Sequence, residues 1–268
     1  MVREKIKDLN QISQQRIVAI GWDVGGWMGN KQGIAALSWV PGEKEIQWLG
    51  TPKSISLPRD AMLSPLRILS SLSAGSFDGS SLVMGVDAPL GYPLQFCQLV
   101  EEEAVTINCP AREIDNPLAY RETDRYIFRR FGKKPLSAVF DRLGNGSTVA
   151  LTHVRHWCRE GDWQLIPQMQ EEPSGPVILE VYPALLKINN SELMEPLLKL
   201  LPSSIKPGTD ACDAALCSLY ALAYAARGAF NPLPPLVGPP PGLRAVKREG
   251  WIYHFPPAAF NHGDSTED

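Results

Sequence analysis

Three short segments of the chain show the nearly continuous hydrophobic pattern of strands that are buried on both faces. They are Arg16 to Asp23, Leu82 to Val86 and Val177 to Val181. Glycines follow the first segment, and the second runs into Asp87-Ala88-Pro89. Runs of this kind are typical of central strands in a parallel sheet. The pattern therefore predicts three central strands, two of which end at an aspartate.

Two further strand-like segments lie after the first central strand. Gly33 to Val40 and Glu45 to Leu49 are joined by Pro41-Gly42-Glu43-Lys44, a sequence suited to a short loop. We expect an antiparallel hairpin here, next to the first strand. A short final strand is predicted from Trp251 to Phe255.

Helical spacing of apolar residues predicts four helices. In the first, Pro65 should bend or shorten the helix, and the last is apolar nearly all round, as a helix packed against a sheet would be. The dipeptide Asn145-Gly146 is expected to form a turn. The predicted helices are Pro58 to Leu72, Asn116 to Gly132, Thr148 to Arg159 and Asp210 to Arg227.

This order of elements predicts the α/β class: a mixed sheet with parallel core strands and an antiparallel hairpin edge, flanked by helices. We expect a single domain over residues 16–255 with a helical insertion at 92–176. A flexible N-terminal segment (1–15) and a C-terminal tail (256–268) should flank it.

Composition supports a globular chain with a large core. Of its 268 residues 44% are hydrophobic and 21% charged, and its net charge of −3 does not suit a basic nucleic-acid arm. The five cysteines are odd in number and widely spaced, so we expect buried free thiols. Met1 to Gln15 lacks the hydrophobic core of a signal peptide, and no apolar stretch is as long as a bilayer span. We expect a cytoplasmic protein with no membrane partner.

Two aspartates at strand ends are the first candidates for chemistry. If their strands are parallel neighbours, Asp23 and Asp87 face each other at the edge where α/β sheets bind ligands. Two close carboxylates repel unless a divalent cation lies between them. In the alternative reading, each aspartate caps its strand by bonding the backbone of the turn.

Three more acidic residues extend the candidate cluster. Asp210 and Asp213 lie on the same side of the first turn of the last helix, where they either bind metal or serve the helix terminus. Glu180 lies inside an apolar strand, so it is either a glutamate at the sheet edge or part of the same cluster.

Five motifs in order resemble those of a domain-of-unknown-function family, number 429, described as predicted RNase H-like nucleases. The similarity runs from about Arg16 to Phe255, and the last helix is also similar to that of bacterial Holliday-junction resolvases. The resemblance implies an RNase H-like fold with a metal-bound carboxylate cluster at Asp23, Asp87, Asp210 and Asp213. The motifs are Gly21-Trp22-Asp23-Val24-Gly25-Gly26-Trp27, Val86-Asp87-Ala88-Pro89-Leu90-Gly91, Arg121-x-x-Asp124-Arg125, Glu180-Val181-Tyr182-Pro183 and Asp210-x-x-Asp213-Ala214.

Such a cluster permits hydrolysis of a phosphodiester by two magnesium or manganese ions, which activate water and stabilise the leaving oxygen. We expect Asp23, Asp87 and Asp213 to be catalytic and to bind the metal together with Asp210 and Glu180. The chain has no Gly-x-Ser-x-Gly motif, and this mechanism needs no nucleophilic side chain.

A nucleic acid or nucleotide is the expected partner, because positive charge is concentrated in the insertion. Between Arg112 and Arg159 there are ten basic and five acidic residues, a local balance of +5 against −8 for the remainder. Alternatively, the arginines form a solvated helix face or pair with Glu122 and Asp124. The residues expected to contact substrate are Arg121, Asp124, Arg125 and Arg129.

Two other functions also fit the sequence. An ATP-dependent phosphotransferase of the actin and sugar-kinase type would also begin with a strand, an aspartate and a glycine turn, but a second glycine-rich phosphate turn is missing. A binding module could keep the fold without activity. Metal-dependent cleavage separates the nuclease from both.

Overall fold

A computed structural model describes residues 15–29, 31–58, 61–72, 77–141, 143–168, 173–187 and 194–256. The predicted N-terminal segment and C-terminal tail lie outside the described residues, except for Gln15 and Pro256.

The described residues contain eight strands, seven α-helices and two short 3₁₀ turns. The strands are β1 (Ile17–Asp23), β2 (Lys31–Trp39), β3 (Gln47–Trp48), β4 (Lys53–Ser56), β5 (Ser81–Asp87), β6 (Gln164–Leu165), β7 (Val177–Val181) and β8 (Ile252–Tyr253). The helices are α1 (Pro65–Leu72), α2 (Leu94–Val100), α3 (Glu122–Phe131), α4 (Leu143–Glu160), α5 (Met194–Leu200), α6 (Asp210–Ala226) and α7 (Val246–Glu249). The 3₁₀ turns are Glu113–Asp115 and Pro183–Lys187.

The strands form one mixed sheet in the order β3-β2-β1-β5-β7-β6. Strands β1, β5 and β7 are parallel neighbours, whereas β2 runs antiparallel to β1 and to β3. The predicted α/β class, parallel core and hairpin edge are therefore confirmed. Strand β4 pairs with β2 and was not predicted, because its sequence is mostly polar and exposed.

Side chains alternate along the strands, so both faces of the sheet carry apolar residues. Helices cover each of these faces. In β1, Val18, Ile20 and Trp22 pack with residues of α1 and α4. Ile17 and Ala19 belong to the opposite core, which contains most of α6. Helix α6 is apolar nearly all round because it lies across β1, β2 and β5.

Helix α6 approaches the sheet closely where glycines replace side chains. A Cβ atom at Gly21, Gly33 or Gly85 would collide with backbone carbonyl oxygens of α6. Gly21 and Gly85 are neighbours in the register of β1 and β5. This contact brings the N-terminal turn of α6 down to the ends of the strands.

Three predicted helix boundaries were wrong. Helix α1 begins at Pro65 rather than at Pro58, since proline suits the first helical position, so the expected shortening at Pro65 is confirmed. Helix α3 begins at Glu122 rather than Asn116. Asn145-Gly146 lies within α4 rather than in a turn, and the Asn145 side chain accepts a hydrogen bond from the backbone N–H of Trp27.

All five cysteines are free thiols, as expected, but of these only Cys212 and Cys217 are buried. In the described part of the chain, no helix combines the length and the apolar character needed to span a bilayer.

Candidate active site

Asp23 and Asp87 end two adjacent parallel strands at the same edge of the sheet. The register pairs Trp22 with Val86 and Asp23 with Asp87 directly. The prediction that these two aspartates lie side by side is confirmed.

The N-terminus of α6 adds two more carboxylates at this edge. Thr209 caps the helix, accepting a hydrogen bond from the backbone N–H of Cys212, so neither aspartate is the cap. Asp210 accepts a hydrogen bond of 3.2 Å from the hydroxyl of Ser54. The charges of Asp210 and Asp213 both raise the pKa of Asp23, so these two carboxylates belong to the same cluster as Asp23.

Lys187 supplies a cation to this carboxylate cluster, and sequence reasoning missed it. Its Nζ lies 3.0 and 3.2 Å from the two carboxylate oxygens of Asp213. The lysine ends the 3₁₀ turn that follows β7 and therefore reaches the same sheet edge. Its place after a third strand end, beyond Tyr182-Pro183, was the available signal in the sequence.

Burial and mutual repulsion keep part of this cluster protonated. Burial, then Asp213 and Asp210, raise the pKa of Asp23 to about 7, although Lys187 acts against them. The pKa of Asp87 also lies well above its ordinary value, through burial and the charges of Asp23 and Asp213. One lysine therefore does not compensate the negative charge gathered here.

The cluster has the donor chemistry of a magnesium or manganese site but not its finished geometry. Carboxylate oxygens suit these hard cations, and repulsion among them favours a bound cation. Nevertheless, within the described ranges no three His, Cys, Asp or Glu side chains are grouped so that they could hold a metal ion. Lys187 bonds both oxygens of Asp213 instead. Binding of a cation would therefore require this pair to open.

Glu180 is not available as a metal ligand. Its carboxylate lies 2.7 and 2.8 Å from the guanidinium nitrogens of Arg121 and accepts a further 2.8 Å bond from the backbone N–H of Leu90. Glu180 is 3% exposed. It therefore holds the segment that follows Asp87, and the expected role as ligand is replaced by one in positioning.

Two of the arginines expected to contact substrate, Arg121 and Arg125, are engaged within the protein. Arg121 is 2% exposed and bonds Asp124 as well as Glu180, so neither Arg121 nor Asp124 can contact substrate as expected. Arg125 bonds the carbonyl of Tyr120 and the carboxylate of Glu122. Of the expected substrate contacts, only Arg129 has an exposed side chain.

Residues of the insertion lie beside the end of β5. A small cleft of about 30 Å³ is lined by Asp87 and Tyr182 together with Pro135, Leu136 and Leu143 of the insertion. Burial and the charge of Asp87 raise the pKa of Tyr182 to about 12, so this phenol stays protonated at neutral pH.

The glycines after Asp23 serve close packing. A Cβ at Gly25 would collide with the backbone of Lys31, and one at Gly26 with the side chain of Asn145. These contacts explain both glycines without a bound phosphate, which removes the main sequence support for the phosphotransferase.

A protein-family identity does not emerge from comparison with known proteins: no family model, curated protein or solved structure matches the chain.

Proposed function

We propose that this protein is a metal-dependent phosphodiester hydrolase of RNase H-like architecture. The observation that carries the proposal is the pairing of Asp23 with Asp87 at neighbouring strand ends, beneath the acidic first turn of α6. The excess of carboxylate charge over the cation Lys187 supports it, because a divalent cation would relieve the repulsion.

Asp23, Asp87 and Asp213 would hold the cation, with Asp210 at the margin beside Ser54. A magnesium or manganese ion at this place supplies an activated water and stabilises the leaving oxygen. Lys187, whose side chain is 45% exposed and whose Nζ is held by Asp213, then becomes available to bind a phosphate oxygen. Arg121 and Glu180 keep the segment after Asp87 in place through the bond to Leu90.

Cleavage of labelled single-stranded and double-stranded DNA and RNA, with magnesium, manganese or EDTA, tests the proposal. Asp23→Asn and Asp87→Asn should each lose cleavage by orders of magnitude and lose the thermal stabilisation that the cation gives the parent protein. Asp162→Asn is the matched control, because Asp162 is exposed and precedes β6, whose pairing is with the start of β7. Cleavage that persists in EDTA, or in both variants, would refute the assignment.

A binding module without activity is the second candidate, favoured by the Lys187–Asp213 pair. This pair places a positive charge among the carboxylates without any metal ion. The module predicts nucleic-acid binding with no cleavage in either cation and no stabilisation by the cations.

A further inference from the structure

A pocket of about 370 Å³ lies at the same sheet edge as Asp23 but on the face covered by α4. Its walls come from the loop after β1, from Gln32, from the segment before α1 and from the helix itself. Ligand pockets commonly measure about 300–1,000 Å³, so this space suits one small molecule or one part of a larger one.

Trp27 forms a fixed aromatic wall of this pocket. Its indole N–H donates a 3.0 Å bond to the hydroxyl of Thr148, and its backbone N–H donates another to the side chain of Asn145. The residue nevertheless remains 48% exposed. A large aromatic ring that is both held in place and accessible is suited to stacking on a planar ligand, since little conformational entropy is lost on binding.

His153, which lines this pocket, carries an acceptor with no hydrogen-bond partner among the described residues. The residue is 3% exposed, and its Nδ1 lies 2.8 Å from the carbonyl oxygen of Val149. A carbonyl can only accept, so Nδ1 carries the proton and Nε2 is the acceptor. Nε2 is buried and has no hydrogen-bond partner among the described residues. Burial also lowers the pKa of His153, which keeps the ring neutral.

We propose that this pocket binds a nucleobase with an exocyclic amino group, stacked on Trp27 and donating an amino N–H to Nε2 of His153. Adenine, cytosine and guanine combine the planar ring and the donor that these two side chains require. The inference deepens the proposed function: Trp27 follows Asp23 by four residues, a span of at most about 14 Å, so the base would neighbour the phosphodiester at the carboxylates.

Binding of free nucleosides to the full chain in EDTA tests the pocket separately from catalysis. Calorimetric titrations compare adenosine with purine riboside, cytidine with pyrimidin-2-one riboside, and guanosine with inosine, since the second member of each pair lacks only the amino group. At least one amino nucleoside should bind about fivefold or more tightly than its partner. Equal affinity within all three pairs, or no binding of any nucleoside, would overturn the proposal.

Variants then locate the site. Trp27→Ala should weaken nucleoside binding at least about fivefold, whereas Phe140→Ala, which removes another exposed ring outside the pocket, should leave it unchanged. His153→Phe should abolish the preference for the amino group; if it fails to fold, the paired nucleosides still decide the question. Undiminished binding by Trp27→Ala would refute the placement. Nucleoside binding without phosphodiester cleavage would retain the pocket and reject the proposed function, and cleavage without nucleoside binding would do the reverse.

Discussion

Replacing Asp23 with asparagine should stabilise the metal-free protein, and the gain should grow with pH. The pKa of Asp23 is about 7 in the folded protein, against 3.8 for an ordinary aspartate. Between these values the folded state holds a proton that the unfolded chain has released. Stability therefore falls as the pH rises through this window, and the loss is complete above pH 7.

The size of the effect follows from the difference of about 3 pH units, at about 1.4 kcal/mol each. Ionised Asp23 costs the folded state at most about 4 kcal/mol at pH 8 and about 2 kcal/mol at pH 5. Asparagine keeps the shape of the side chain and carries no charge, so Asp23→Asn should recover much of this cost at each pH.

Guanidinium unfolding followed by tryptophan fluorescence, in EDTA at pH 5 to 8, measures the gain directly. The variant should exceed the parent by about 2 kcal/mol more at pH 8 than at pH 5. Asp162→Asn should show no such pH dependence, because its side chain is exposed. A loss of about 1 kcal/mol at every pH would instead identify Asp23 as a structural cap and refute the electrostatic argument.

Three other predictions concern neighbouring groups. Lys187→Met removes the cation that lowers the pKa of Asp23 and Asp87. At pH 8 the metal-free variant should therefore melt at a lower temperature than the parent and should gain more thermal stability from magnesium. An unchanged magnesium response would show that lysine and metal do not compete. In Arg121→Lys the lysine ammonium cannot reproduce the guanidinium contacts with Asp124 and Glu180. The free energy of unfolding, measured with a chemical denaturant, should therefore fall by about 3 kcal/mol or more. A loss within about 0.5 kcal/mol would contradict the buried network. Burial lowers the pKa of His254 to about 4 from 6.5, so below pH 6.5 the unfolded chain takes up the proton first and about 2 kcal/mol of stability is lost by pH 5. His254→Phe should remove this component of the pH slope in parallel unfolding curves, and an unaltered slope would exclude His254 as its source.

The sequence was sufficient for the three central strands β1, β5 and β7 and for the pair Asp23 and Asp87, because unbroken apolar runs and their order specify neighbouring parallel strands. It did not suffice for Lys187 and Glu180. Both roles depend on which distant side chains meet in space: Lys187 with a residue 26 positions away, and Glu180 with Arg121 at 59 positions. The spacing of arginines along α3 suggested contacts with phosphate. Arg121, at the N-terminus of this helix, is instead buried and binds Asp124 and Glu180.

The closeness of α6 to the sheet also determines which parts of this protein can change without disturbing the site. Side chains between two layers can be exchanged for larger or smaller ones, and the layers then settle at a new separation. At Gly21, Gly33 and Gly85 the contact is between main chains, which have no replaceable part. Any larger residue there can only push the layers apart and lift the acidic turn away from the strand ends. Substitutions elsewhere in the core therefore leave the spacing of the carboxylates unchanged. A larger residue at any of these three glycines would change that spacing.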